Sequence, residues 1–173
     1  MPTLKRPLRR ALAVAGLAFA AIAIGALFGV AGRGSAASVP TGCPTGTGPV
    51  NVADLSLPAR LSVDQWKSDP AVIGRNPGTV SVSVHVTACG GRPVTGALVY
   101  VTATPWDQFS TPSEAKTGTD GWATDTMSQA THYPASPRQQ LLALFVRARK
   151  PAEPMTGGIS TRRLVSLHVD LSQ

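Results

Sequence analysis

The clearest periodic signal in the chain is TVSVSVHVTA, residues 79–88, where Val80, Val82, Val84 and Val86 alternate with Ser81, Ser83, His85 and Thr87. A period of two in β-branched residues predicts a strand buried on one face, because successive side chains of an extended chain point to opposite sides. Gly90 and Gly91 can take positive φ without steric cost, and Pro93 fixes φ and lacks a donor, so the chain is expected to turn there. Residues 94–104 then set Ala97, Val99, Val101 and Ala103 against Leu98, Tyr100, Thr102 and Thr104, the pattern of one central strand with both faces partly covered. Asp120-Gly121, flanked by Thr and Trp residues, predicts a short hairpin. LLALFVRARK, residues 141–150, has a composition that would suit a helix. Pro134, Pro137 and Pro151 confine it to ten residues, which favours a strand. In 160–171, Val165, Leu167, Val169 and Leu171 alternate with Leu164, Ser166, His168 and Asp170 as a final strand. Residues 55–63 are expected to form a first edge strand, where Pro58 is tolerable, and 65–78 a loop. Six or seven strands with no helix after residue 32 imply an all-β antiparallel two-sheet sandwich.

The N-terminus has a different pattern. Lys5, Arg6, Arg9 and Arg10 precede an uncharged run of 22 residues, 11–32. A basic flank stays on the cytoplasmic side and the chain beyond the apolar run is delivered outside, so 1–37 reads as a hydrophobic export helix. GSAA ending at Ala37 offers small residues for signal cleavage, whereas the length of the run suits a retained transmembrane anchor; the residues support both. The chain thus divides into a signal peptide or signal anchor at 1–37, a Pro/Gly/Thr-rich linker at 38–54 and a sandwich domain at 55–173.

Charge and cysteines sharpen this picture. The formal net charge is +7, but five of the 16 Lys and Arg residues and none of the 9 acids precede Ser38, which leaves eleven basic against nine acidic residues, +2, beyond it. The basic balance belongs largely to the export segment, so nucleic-acid binding loses its support. Cys43 and Cys89 both fall on the exported side, where disulfides persist, and are expected to pair. A lipid-modified Cys43 fits poorly, because VPTGC places Pro40 where a lipidation motif carries Leu.

GGRPVTGALVYV, with TGTDGWATDT about twenty residues later, resembles the bacterial Ig-like and carboxypeptidase-regulatory-like (transthyretin-like) β-sandwiches. The residues that carry the likeness are Gly91, Pro93, Val94, Gly96, Ala97 and Val99 in the first element, and Thr117, Asp120, Gly121 and Ala123 in the second. It covers roughly 79–126. The resemblance implies a non-catalytic module outside the cell, used for spacing, adhesion or stabilising a neighbour, with no catalytic residues to carry over.

Candidate chemistry is sparse. A superficial likeness to intradiol ring-cleaving dioxygenases rests on a G-x-P-V strand, a D-G hairpin and a nearby YP. It implies ferric iron held by two Tyr and two His, for which Tyr100, Tyr133, His85, His132 and His168 are the residues present, but the paired H-x-H ligands are absent and His85 and His168 alternate with core positions. No G-x-S-x-G occurs, and the histidines and cysteines lack zinc-ligand spacing. Asp120 and Asp125 could suggest calcium, although turn geometry already explains Asp-Gly. No catalytic residue, metal or cofactor is therefore expected. The remaining candidate is an anion-binding patch of Arg147, Arg149, Lys150, Arg162 and Arg163. It would face an unknown protein or an anionic cell-envelope polymer, or else form a solvated face paired with Asp107, Glu114 or Asp170. Trp66, Trp106 and Trp122 lie in or beside loops, as a sugar-binding platform or as plugs at the ends of the sandwich. The membrane enters as a partner only if 1–37 is retained.

Overall fold

The computed structural model describes residues 40–154 and 157–173; the expected export segment and its apolar run lie outside them. The described chain is a sandwich of two five-stranded sheets. Its strands are β1 (Val50–Asn51), β2 (Ser62–Asp69), β3 (Val72–Ile73), β4 (Thr79–Ala88), β5 (Arg92–Thr95), β6 (Leu98–Thr104), β7 (Ala115–Lys116), β8 (Trp122–Ser128), β9 (Leu141–Arg149) and β10 (Thr161–Val169). In the first sheet β4 is central. β2 lies along one side of it, and the other side is shared by β8 along Thr79–His85 and by β5 at Thr87 and Ala88. The second sheet runs β3-β10-β9-β6-β7. Pairing is antiparallel except for the two-residue contacts β1–β5 and β3–β10. Among the described residues no helix is long and apolar enough to cross a membrane.

The valine stripe of β4 does what its period demands: Val80, Val82, Val84 and Val86 are fully buried. They join Val99, Val101 and Ala103 of β6, Leu142, Leu144 and Val146 of β9, and Val165, Leu167 and Val169 of β10 in one buried core. Strand 141–150 is found as β9, and the last strand as β10.

Three expectations are corrected. Residues 94–104 are two strands in different sheets: the chain leaves β5 at Thr95, passes Gly96 at φ +82°, and enters β6 at Leu98. Thr117 holds this corner, because its hydroxyl donates to Val94 O (2.6 Å) and accepts from Ala97 N (2.9 Å) while its carbonyl accepts from Gly96 N (3.0 Å). Asp120-Gly121 likewise makes a change of sheet. The strands on either side, β7 and β8, pair with β6 and β4 and not with each other. Gly121 is required there, since it sits at φ +78° and a Cβ would come within 2.8 Å of Val86 O. Finally, the edge strand is Ser62–Asp69 rather than 55–63. Its alternation is hidden because it is mostly exposed, and only Val63 of its eight residues is buried.

The stretch read as a linker also belongs to the sandwich over its described part. Val50 pairs with Val94, Val50, Val52 and Leu55 are buried, and Cys43 is bonded to Cys89 at the β4–β5 turn. The expected disulfide is therefore present, tying the N-terminal arm to the corner that the glycines make.

Candidate functional site

The five cations of the expected patch are all placed on β9 and β10 or just beyond β9; Arg147, Arg149 and Arg162 share one outer face, and Lys150 and Arg163 do not join them. Arg147 and Arg149 do share the outer face of β9, as a strand requires of residues two apart. There both grip Glu114, which the chain brings alongside just before β7. Arg147 Nη2 donates to Oε1 (3.1 Å), Arg149 Nε to Oε1 (2.7 Å), and Arg149 Nη2 to Oε2. Arg147 is buried and also lies over the Tyr100 ring, 5.5 Å from its centroid. Hydrogen bonding from Arg149 holds the Glu114 carboxyl below its usual range despite an opposing push from burial, as a clamped carboxylate should be.

Of the other three cations, Lys150 and Arg163 leave this face. Lys150 Nζ donates to Ala53 O (2.7 Å) and Leu55 O (2.9 Å), fastening the N-terminal arm to the end of β9. Arg163 reaches across the open side of the sandwich to donate to Val63 O on β2, with its guanidinium 4.5 Å from the centre of the Trp66 ring. Arg162, opposite Arg147 in the β9–β10 register, is exposed. Four of the five cations are thus engaged by this chain's own groups. Of the three acids considered as their partners, Glu114 takes that role.

Two further polar groups stand out. Asp125 points inward from β8 opposite Val82 and is only 4% exposed; its Oδ2 has no hydrogen-bond partner among the described residues. Burial, reinforced by the nearby charge of Glu114, pushes its carboxyl up to about 6. On the outer face of the first sheet, His85 Nδ1 lies 2.7 Å from Asp64 Oδ1 and its Nε2 lies 3.0 Å from Asp120 O. That tie joins β2, β4 and the Asp120-Gly121 corner. Tyr100, Tyr133, His132 and His168 are dispersed, and no group of three or more metal-ligating side chains occurs among the described residues.

None of the tryptophans is a core plug. Trp66 and Trp122 lie against cations of other strands, Arg163 and Lys67. Trp106 is different: it is 74% exposed at the rim of a cleft of about 350 Å³ formed by the loops after β6 and after β8. Asp107, Gln108, Thr131, His132 and Pro134 line the rest. Asp107 takes φ +63° and its Oδ2 lies 3.1 Å from His132 Nδ1, so the two loops meet across the cleft. Gln108 is fully buried. Its amide nitrogen donates to Pro105 O (3.3 Å), while Oε1 has no partner among the described residues. Beneath, Phe109 packs on Tyr133 with ring centroids 4.9 Å apart, and the Tyr133 hydroxyl donates to Gly74 O (2.9 Å). Sequence reasoning singled out Trp106 but neither Gln108 nor the pairing of His132 with Asp107. Comparisons of the chain with protein-family models, with curated proteins and with solved structures find no match.

Proposed function

We propose that the chain is an exported, non-catalytic β-sandwich module of the Ig-like or transthyretin-like kind, with a structural or interaction role at the cell surface. The observation that carries the reading is the Cys43–Cys89 bond, 46 residues apart in sequence. Disulfides persist in oxidising compartments, and this one fastens the arm beyond the basic and apolar N-terminus to the body of the sandwich. The disposition of the cations supports it as well. Arg147, Arg149 and Arg163 are committed to Glu114 and to the backbone carbonyls of Glu153 and Val63, which makes them part of the scaffold.

The test is the state of the native protein. Material from an exporting host should be accessible to protease added outside the cytoplasmic membrane, and should show no alkylatable thiol until it is reduced. A chain found in the cytosol with two alkylatable thiols would refute the reading.

A further inference from the structure

The cleft beside Trp106 combines features that folding alone does not demand. A tryptophan left 74% exposed gives up most of the burial that its large ring could gain. A fully buried amide oxygen without a partner among the described residues, Gln108 Oε1, carries an unmet desolvation cost, and such groups call for an explanation. Both belong to one concave site. Its floor is fixed by the Phe109–Tyr133 packing and by the hydrogen bond from Ala130 N to Gln108 O (2.9 Å).

We propose that this cleft binds an uncharged sugar residue, with the Trp106 indole as platform and Asp107, Thr131 and His132 as its hydrogen-bonding partners. A pyranose ring has one face of C–H groups and a rim of hydroxyls. It therefore matches a flat exposed aromatic bordered by short polar side chains better than it matches a wholly apolar pocket. The volume of about 350 Å³ lies at the small end of ligand sites and suits one ring of a longer chain that enters and leaves through the open rim. The lining contains no lysine or arginine and does contain a carboxylate, Asp107, so an anionic sugar would be repelled. The hydroxyls of a neutral one find an acceptor at Asp107 and a hydroxyl of either role at Thr131. This inference rests on the reading of the chain as an exported interaction module and names the chemistry of its partner.

The test is native-gel affinity electrophoresis of the full chain, made in an exporting bacterial host and held in mild detergent. The gels contain a soluble β-glucan, an α-glucan, a galactomannan or, for contrast, polygalacturonate. At least one uncharged polymer is expected to retard the protein, without sensitivity to salt. Trp106→Ala should weaken the apparent affinity about tenfold or more, and Thr131→Val should weaken it less. Because Trp106 is exposed, its variant should unfold at the same temperature as the parent, which separates loss of binding from loss of fold. The proposal is overturned by absence of retardation in all three uncharged polymers, by retardation that Trp106→Ala leaves intact, or by retardation confined to polygalacturonate and abolished by salt. It is equally overturned if a proline-rich peptide, and none of the sugars, binds at Trp106. Thiol state and compartment, measured on the same preparation, keep the two readings apart. Export with an intact cross-link but no retardation removes the cleft alone, and a reduced cytosolic chain removes the wider reading.

Discussion

Replacing Asp125 by asparagine should stabilise the protein near neutral pH and destabilise it slightly in acid. The carboxyl faces the core from β8, opposite Val82, and one of its oxygens has no partner among the described residues. Its folded-state value of about 6 lies roughly two units above the 3.8 of an unburied aspartate, first through burial and then through Glu114. A gap of that size corresponds to about 3 kcal/mol of differential stability. The sign depends on which state holds the proton more tightly, and here it is the folded one. The favourable contribution is complete below about pH 3.8, declines as pH rises, and is gone once pH passes about 6, when folding must carry a buried charge. The asparagine side chain cannot ionise, so the variant escapes this loss. It does bury an amide with incomplete hydrogen bonding, which costs about 1–2 kcal/mol at every pH. The expected net gain is therefore about 1–2 kcal/mol near pH 7.5, and by about pH 4 it should reverse to a small loss. The measurement is urea unfolding of parent and Asp125→Asn across that range, with equal m-values required for the comparison. Glu114 titrates in both proteins, so its own acid-side loss cancels in the difference. Two stability curves running parallel from acid to neutral pH would show that Asp125 is not held in the apolar environment described.

Other substitutions test other joints. Thr117→Val keeps the shape at the β5–β6 corner but strands Val94 O and Ala97 N; it should cost about 2–4 kcal/mol by thermal or urea unfolding, with Thr117→Ser recovering most of it. Gly121→Ala, forced into positive φ against Val86 O, should cost at least about 1–2 kcal/mol in the same assay. Glu114→Gln leaves the buried Arg147 and its neighbour Arg149 without their counter-charge. It should destabilise by about 2–3 kcal/mol while bringing the Asp125 titration, monitored by NMR, down toward the ordinary range. Reduction of Cys43–Cys89 should lower stability by up to about 4 kcal/mol for a loop of this length, read as a shift of the urea midpoint under reducing conditions.

Where the sequence spoke clearly, one face of a strand was dry. β4 was legible because four valines at alternate positions all enter the core, β10 because its alternation is nearly as regular, and β9 because the prolines around it leave its apolar run too short for a helix. Period two says nothing, however, about which sheet a strand joins. Both β5 and β6 have buried faces, and the alternation changes phase at Gly96, from Val94 to Ala97, where Thr117 fixes the corner by bonding to both. The Asp-Gly signal was correct as a reversal and misleading as a hairpin for the same reason: turn chemistry is local, while strand pairing is decided by what the neighbouring strand can bury. β2 escaped notice because an edge strand needs little apolar surface, and the apolar residues before it serve instead to anchor the N-terminal arm.

The candidate sites show the same division between local and distant causes. That Arg147 and Arg149 share a face is a matter of spacing alone; that the face is occupied emerges only once β7 pairs with β6 and delivers Glu114, more than thirty residues earlier in the chain. Two of the cations that a charge pattern groups as an anion-binding surface are thus held by a carboxylate of this chain. The reverse holds at Trp106. Its exposure, the unmet Gln108 oxygen and the meeting of Asp107 with His132 arise from two loops with no periodicity to read, brought together by the contacts that Phe109 makes with Gln129 and Tyr133. Cations committed to the scaffold are poor candidates for recognition, because a ligand would have to displace partners already in place. An exposed ring has no such competition, which is why recognition on this domain is better sought at the Trp106 loops than on the arginine-bearing sheet.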